Sequence, residues 1–344
     1  MEELKNFLML NLLPLCISFA FTALLAPPFI KWLKKLKFGQ EIRDEGPKWH
    51  EKKSGTPTMG GIIFIAGIAI CAVVMFIISF IKGGSFKDIE SSVAVLLVSL
   101  GFGAVGFCDD YIKVVKKRNL GLSAKQKFLF QLLFAIIYIV YMYCCTDMST
   151  KLVIPFTSIY ITLPIWIYIP LILFVITGVV NAVNLTDGLD GLASSITVVT
   201  SLTFAAVAFM FFNKNLSSLA IAISGGLLGF LLYNKYPAKV FMGDTGSLFL
   251  GAIIALLAIN MGLVLYLIPI GFVYFAETLS VILQTSYFKY TKKKYGEGRR
   301  IFKMSPLHHH FEMCGWKEVK IVMVFTLVTL ILCVASFVGM IFTL

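Results

Sequence analysis

Long apolar runs alternate with short polar connections along nearly the whole chain. Ten runs read as membrane-crossing helices: 7–31, 59–81, 91–107, 127–146, 164–182, 193–212, 217–233, 246–262, 265–288 and 319–343. A spanning helix needs about 20 mostly apolar residues. No charged residue separates the eighth run from the ninth, so that boundary is the least marked. The first run is too long for a cleaved leader, lacks an A-x-A site and runs into Lys31, Lys34, Lys35 and Lys37. The longest polar stretches, about 32–58 and 289–318, are too short to bury cores of their own. The pattern predicts an all-α polytopic membrane protein whose residues 1–344 form one domain.

Charge then orients the spans. Of the 30 Lys and Arg, 25 fall in the loops after spans 1, 3, 5, 7 and 9 and five on the other side. Positive charge stays cytoplasmic, so the odd loops face the cytoplasm and both termini lie outside. Twelve of the 18 acidic residues share the cytoplasmic side and five lie outside, with Glu277 alone at mid-membrane depth. The two faces carry formal charges of +13 and 0. All four histidines are cytoplasmic, so the titratable chemistry is concentrated on one face.

Composition agrees. The chain is 58% hydrophobic with a mean hydropathy of +0.89, and only 14% of its residues are charged, against about a quarter in soluble domains. A soluble enzyme, a disordered chain and a secreted disulfide scaffold are excluded. The seven cysteines lie mostly in apolar runs without a CxxC and read as reduced core residues.

Five segments carry candidate chemistry. Asp109 and Asp110 end span 3; if the helix continues, Lys113 stands one turn on and Lys117 another. This is either a solvated helix end or a base and metal site flanked by phosphate-binding lysines. Asn181, Asn184, Asp187 and Asp190 recur every three residues, making one polar stripe if helical, with Gly188 and Gly191 allowing tight turns. Before span 8, Asn234 to Ser247 contains Phe241, Gly243 and Asp244; Asp244 or Thr245 either caps that helix or Asp244 holds Mg²⁺ with a phosphate. Residues 55–61, GTPTMGG, lack the GK[ST] of a Walker A but offer a backbone nest beside Lys53, or simply open span 2. His308, His309 and His310 cannot all reach one ion from a regular helix; facing a polyanion suits them better. Lys292, Lys293, Lys294, Arg299 and Arg300 read as contacts to anionic lipid heads. No GxSxG or Cys–His pattern supports a hydrolase.

Together GTPTMGG at 55–61, DDYIK at 109–113, NAVNLTDGLDGLA at 181–193, FMGDTGS at 241–247 and PLHHHFE at 306–312 closely resemble the phospho-N-acetylmuramoyl-pentapeptide transferase family, in order and across nearly the whole chain. The resemblance implies transfer of phospho-MurNAc-pentapeptide from UDP-MurNAc-pentapeptide to undecaprenyl phosphate, giving lipid I and UMP for peptidoglycan, with Mg²⁺. It implies a bacterial cytoplasmic membrane location, a homodimer and no nucleic-acid partner. Carried onto this chain, Asp244 binds Mg²⁺, and Asp109 and Asp110 serve the lipid phosphate and metal, Asp109 as base. Asn181, Asn184, Asp187, Gly188, Leu189, Asp190 and Asn234 shape the nucleotide pocket, and Phe241 stacks on uracil. Lys53, Thr58, Lys113, Lys117 and Lys125 hold phosphates, and His308, His309 and His310 contact the diphosphate or sugar–peptide part.

Rivals are a polyprenyl-phosphate GlcNAc-1-phosphate transferase, a transporter and a scaffold. A transporter would place its ionisable groups at mid-membrane depth, where only Glu277 lies; a scaffold has no need of the Asn/Asp stripe. Span 9 is the expected wall of a groove for the lipid tail, bent at Pro269 or Gly271, with Glu277 turned inward.

Overall fold

The computed structural model describes residues 11–35, 55–115 and 121–343. Its order is α1 (Leu13–Lys35), α2 (Gly61–Ile81), α3 (Phe86–Val115), α4 (Ala124–Cys145), β1 (Lys151–Val153), β2 (Tyr160–Thr162), α5 (Ile165–Thr186), α6 (Leu192–Phe211), α7 (Lys214–Asn234), α8 (Gly243–Asn260), α9 (Leu267–Ile270), α10 (Phe272–Tyr295), α11 (Leu307–Met313) and α12 (Glu318–Thr343). Among the described residues, nine helices are long and apolar enough to cross a membrane, α1 to α8 and α12.

The expected ninth run is the exception. It splits at Gly271 into α9 and α10, with the Gly271 amide donating to the Leu267 carbonyl at 2.7 Å. Polar residues within α10, among them Glu277, Ser280 and Gln284, are buried while Leu279, Ile282 and Leu283 are exposed. The segment is therefore interrupted at Gly271 and two-faced rather than uniformly apolar, and Glu277 is buried in the protein, as the cost of a carboxylate facing lipid leads one to expect. The helix also continues to Tyr295, seven residues past the expected end.

The bundle is layered by burial. Helix α8 is its axis: every residue from Thr245 to Ile259 is buried, packed by α3 and α5 with α2 alongside. Helix α7 is nearly as enclosed, between α1 and α6. Helices α1, α4 and α12 lie outermost and leave Leu24, Leu129, Tyr143 and Phe342 exposed. An apolar exterior of this extent suits lipid, not water. The short antiparallel pair of β1 with β2, Lys151 opposite Thr162, joins α4 to α5 at the end of the bundle where α4 finishes. The other end gathers the C-termini of α3, α5, α7 and α10 and the N-termini of α4, α6, α8 and α12, and every motif within the described residues lies there.

Candidate active site

Helix α3 runs unbroken through Asp109 and Asp110 to Val115, so Lys113 stands one turn beyond Asp109 and forms an ion pair with it. Two glycines set the site's geometry. A Cβ at Gly106 would run into the Asp244 carbonyl and the Thr245 amide, so α3 crosses the start of α8 at backbone contact. Gly243 has φ +70°, and a Cβ there would meet the Asp110 carboxylate and the Thr58 hydroxyl. The carboxylates of α3 are thereby brought against the first turn of α8. One oxygen each from Asp109, Asp110 and Asp244 lies within 4.8 Å of the others.

The three carboxylates have different partners. Asp110 is 3% exposed; its Oδ1 accepts the Asp244 amide at 3.1 Å, and its Oδ2 accepts the Thr245 amide at 2.9 Å and the Thr245 hydroxyl at 2.7 Å. It caps α8 from a neighbouring helix, and no side chain from α8's own N-cap does so. The reading of Asp244 or Thr245 as the cap of α8 is therefore overturned. Asp244 instead accepts Asn184 Nδ2 on Oδ1 at 2.7 Å, while its Oδ2 meets Lys113 Nζ at 2.8 Å and Lys127 Nζ at 2.9 Å. Asp109, also buried, accepts the Leu122 amide at 2.7 Å. Buried charges require such pairing.

The sequence points to Lys125, and the structure adds Lys127. The helix phase decides between them: Lys125 is exposed, whereas Lys127 is half-buried and turned to α8. Ser247, which accepts Asn184 Nδ2 at 2.8 Å, was missed too. Lys53 and Lys117 lie outside the described residues. Thr58 is buried beside Gly243 and Asp110. In the GTPTMGG segment two of the amides are already engaged. Gly60 donates to the Phe241 carbonyl at 2.8 Å and Gly61 to that of Met242 at 2.9 Å, and the Phe241 amide donates to Pro57. It straps the opening of α2 to the loop before α8 and leaves the Phe241 ring half-buried.

The Asn/Asp stripe does not share one direction. Asn181 turns to Gln131 and the Thr177 carbonyl, both at 2.8 Å, and Asn184 turns to Asp244. The helix ends at Thr186. Asp190 accepts the Ala238 amide at 2.9 Å and donates its own amide to Glu318 at 2.6 Å. Asn234 accepts Ser194 and donates to the Val240 carbonyl, which pins the loop before α8 rather than offering its amide to a ligand. Leu189 is buried. Of the two glycines only Gly191 has a positive φ, +77°; Gly188 serves instead by leaving room for the His308 ring. Asp187 ends α5 half-buried. Burial foremost, then the charges of Asp244, Asp110 and Asp190, hold its carboxyl well above the usual carboxylate range.

The three histidines of α11 have different hydrogen-bonding partners. His308 is buried against Glu277, His309 Nδ1 lies 2.7 Å from Glu312, and His310 Nδ1 accepts the Lys303 amide at 3.1 Å. The His308 ring lies against Gly188 in the Asp187–Gly188 turn, and the His308 and His309 rings stand 4.2 Å apart. All seven cysteines are free.

The chain matches the sequence model of glycosyl transferase family 4 over residues 92–262 and signature 1 of phospho-N-acetylmuramoyl-pentapeptide-transferase over residues 53–65. It is 47% identical over 339 residues to the phospho-N-acetylmuramoyl-pentapeptide-transferase of Clostridium botulinum (strain Eklund 17B / Type B), which covers 98% of each chain. It is 50% identical over 311 residues to that of Listeria monocytogenes serovar 1/2a, 90% of this chain and 91% of the relative. Against that of Staphylococcus carnosus it is 49% identical over 317 residues, 92% and 94%. Signature 1 falls on the strap that holds α2 to the start of α8, and the family 4 match contains Asp109, Asp110, Asn184, Asp187 and Asp244. The chain belongs to the phospho-N-acetylmuramoyl-pentapeptide-transferase family.

Proposed function

We propose that this chain transfers phospho-MurNAc-pentapeptide from UDP-MurNAc-pentapeptide to undecaprenyl phosphate, giving lipid I and UMP. The observation that carries this reading is the convergence of Asp109, Asp110 and Asp244 with Lys113, Lys127 and Asn184 at one end of a lipid-exposed bundle. Phosphoryl transfer asks a protein mainly for positioning and charge neutralisation. A lipid acceptor and a polyanionic soluble donor both reach such a place.

The carboxylates fit Mg²⁺: they are hard oxygen donors grouped within 4.8 Å, and Mg²⁺ takes one or two carboxylates, completing its shell with substrate oxygens and water. Asp244 and Asp109 would hold it by giving up their lysine partners, while Asp110 keeps both oxygens on the first turn of α8. When bound, Mg²⁺ neutralises charge on the phosphates.

The chain's own residues do the rest. Lys113 and Lys127 exchange their carboxylate partners for phosphate oxygens. Asp109 accepts any proton remaining on the lipid phosphate, whose second pKa is about 6, so this help is partial. A lipid phosphate oxygen forms the new bond to the donor's β-phosphorus. The β-phosphorus–oxygen bond to the α-phosphate breaks, and UMP leaves with the electron pair. No covalent enzyme intermediate is formed. Asp187 and the ring of Phe241 border the nucleotide.

We further assign the site to the cytoplasmic face of the bacterial cytoplasmic membrane, both termini to the outside, α9–α10 to a bent tenth crossing beside the lipid tail, and a homodimer as the assembly. The test is purified protein with undecaprenyl phosphate and UDP-MurNAc-pentapeptide or UDP-GlcNAc, following UMP with and without Mg²⁺. UMP release from the muramoyl donor alone, requiring both lipid and metal, is expected. Preference for UDP-GlcNAc makes it the related GlcNAc-1-phosphate transferase. A stoichiometric burst of UMP without lipid overturns direct attack.

A further inference from the structure

Glu277 is fully buried on α10, outside the carboxylate cluster, and the chemistry above makes no use of it. Both of its oxygens face the start of α11: the His308 amide donates to Oε1 at 3.2 Å and to Oε2 at 3.4 Å, and His308 Nδ1 lies 3.1 Å from Oε1. His308 is 1% exposed. Neither of its ring nitrogens has an aligned hydrogen bond, an uncommon state for a buried imidazole. Its far edge, Nε2, lies against Gly188, so closely that any Cβ there would collide with it. Gly188 follows Asp187 directly, in the turn that the family match includes.

The geometry points to Glu277 as a positioning residue: it fixes His308 through the backbone amide and the Nδ1 edge, keeps a proton on Nδ1, and thereby seats the enclosed Nε2 edge against Gly188, so that the ring holds the Asp187–Gly188 turn in place for substrate. A carboxylate beside one ring nitrogen favours the proton there and sets where the other nitrogen points, and here Oε1 lies 3.1 Å from Nδ1. A mid-membrane carboxylate is costly unless it is paired inside the protein. Among the described residues the ion-pair partner of Glu277 is His308, not a Lys or Arg. The inference rests on the transferase reading for its activity arm only.

Two measurements test it. The first is kinetic: Glu277→Gln, His308→Ala and the double variant, each checked for folding by its thermal transition. Glu277→Gln is expected to lower kcat about 10- to 100-fold, the size typical of losing an outer-shell partner of a histidine, with KM for the lipid unchanged and partial rescue in Glu277→Asp. In the His308→Ala background it should lower kcat less than twofold, because the residue acts through the ring. Equal losses in both backgrounds would overturn the proposal, as would a Glu277→Gln loss that only follows a fallen thermal transition. The second measurement needs neither variant nor turnover: ¹⁵N-histidine NMR of the wild-type protein in detergent. His308 is expected to carry its proton on Nδ1. A bare Nδ1 would overturn the proposal. If wild-type protein releases no UMP from either donor while the spectrum shows a protonated Nδ1, the transferase reading fails and the Glu277–His308 arrangement stands.

Discussion

Two acidic groups lie near each other at the same end of the bundle and are treated in opposite ways. In the α3–α8 cluster each carboxylate has a donor: Asp110 takes the first amides of α8, Asp244 takes two lysines and an asparagine, and Asp109 takes Lys113 and the Leu122 amide. In the α5–α6 turn, Asp187 forms no ion pair among the described residues, and burial, then neighbouring negative charges, push its carboxyl upward. The first arrangement stores cations beside carboxylates and so suits phosphate and metal together. The second holds an acid ready to keep or accept a proton, which suits the hydrogen-bonding face of a base or sugar. Variants that remove charge from one place or the other separate these roles.

The largest effect is expected at Asp244, where three cationic or amide donors converge. Asp244→Asn keeps the volume and an acceptor for Asn184 but removes the charge. Mutations of a single electrostatic stabiliser cost about 10²- to 10³-fold in kcat, and at least that is expected here with the fold intact. A kcat within about tenfold of wild type, worth about 1.4 kcal/mol, would break the assignment of Asp244 as the principal ligand.

Next come the paired lysines, which sharpen the same cluster. Lys127→Ala removes a direct contact to Asp244 at 2.9 Å and is expected to lower kcat/KM by about 10- to 100-fold, as for a charged contact worth 1.5–3 kcal/mol. Lys125→Ala, two residues away and exposed, should change it less than twofold. The two variants assayed side by side give the answer, and equal effects would mean that the α4 register places neither lysine at the phosphate.

Much of this architecture was legible in the sequence, and the misses have common physical causes. The helices followed from run length, because a bilayer fixes the length of an apolar segment. The ninth run was the exception, since Glu277, Ser280 and Gln284 share a buried face that averaging over the segment conceals. The cluster partners Asp109 and Asp244 were found because carboxylates at span ends need a reason to be there. Asp110's part in capping α8 was not, because a cap supplied by another helix leaves no local spacing to read. Gly188 and the strap at residues 55–61 were legible only in part: each contains the residue types of a turn or nest, and the neighbours that pack on them, His308 and Phe241, are distant in sequence. Lys127 was missed although helical phase could have found it. Once Lys125 and Lys127 are placed on α4, only one of them can face α8.

The smallest expected effect lies in the turn and concerns stability rather than rate. A carboxyl whose folded pKa stands above its unfolded value, about 3.9 for Asp, binds its proton more readily in the folded state. Stability is then lost as pH rises from the unfolded pKa to the folded one, and the loss is complete above the folded pKa. Asp187→Asn cannot ionise and escapes this loss. Ligand-free wild-type and variant proteins, compared by thermal transition across pH 5 to 9, should therefore diverge, with the variant gaining over wild type as pH rises. The gain should level off once Asp187 is fully ionised. The same scan on Asp244→Asn should not show the variant gaining, since Asp244 has two lysines that favour its charged form. A constant offset for Asp187→Asn across the range would mean that the turn's carboxyl titrates normally. The contrast between the two acidic groups would then rest on geometry alone.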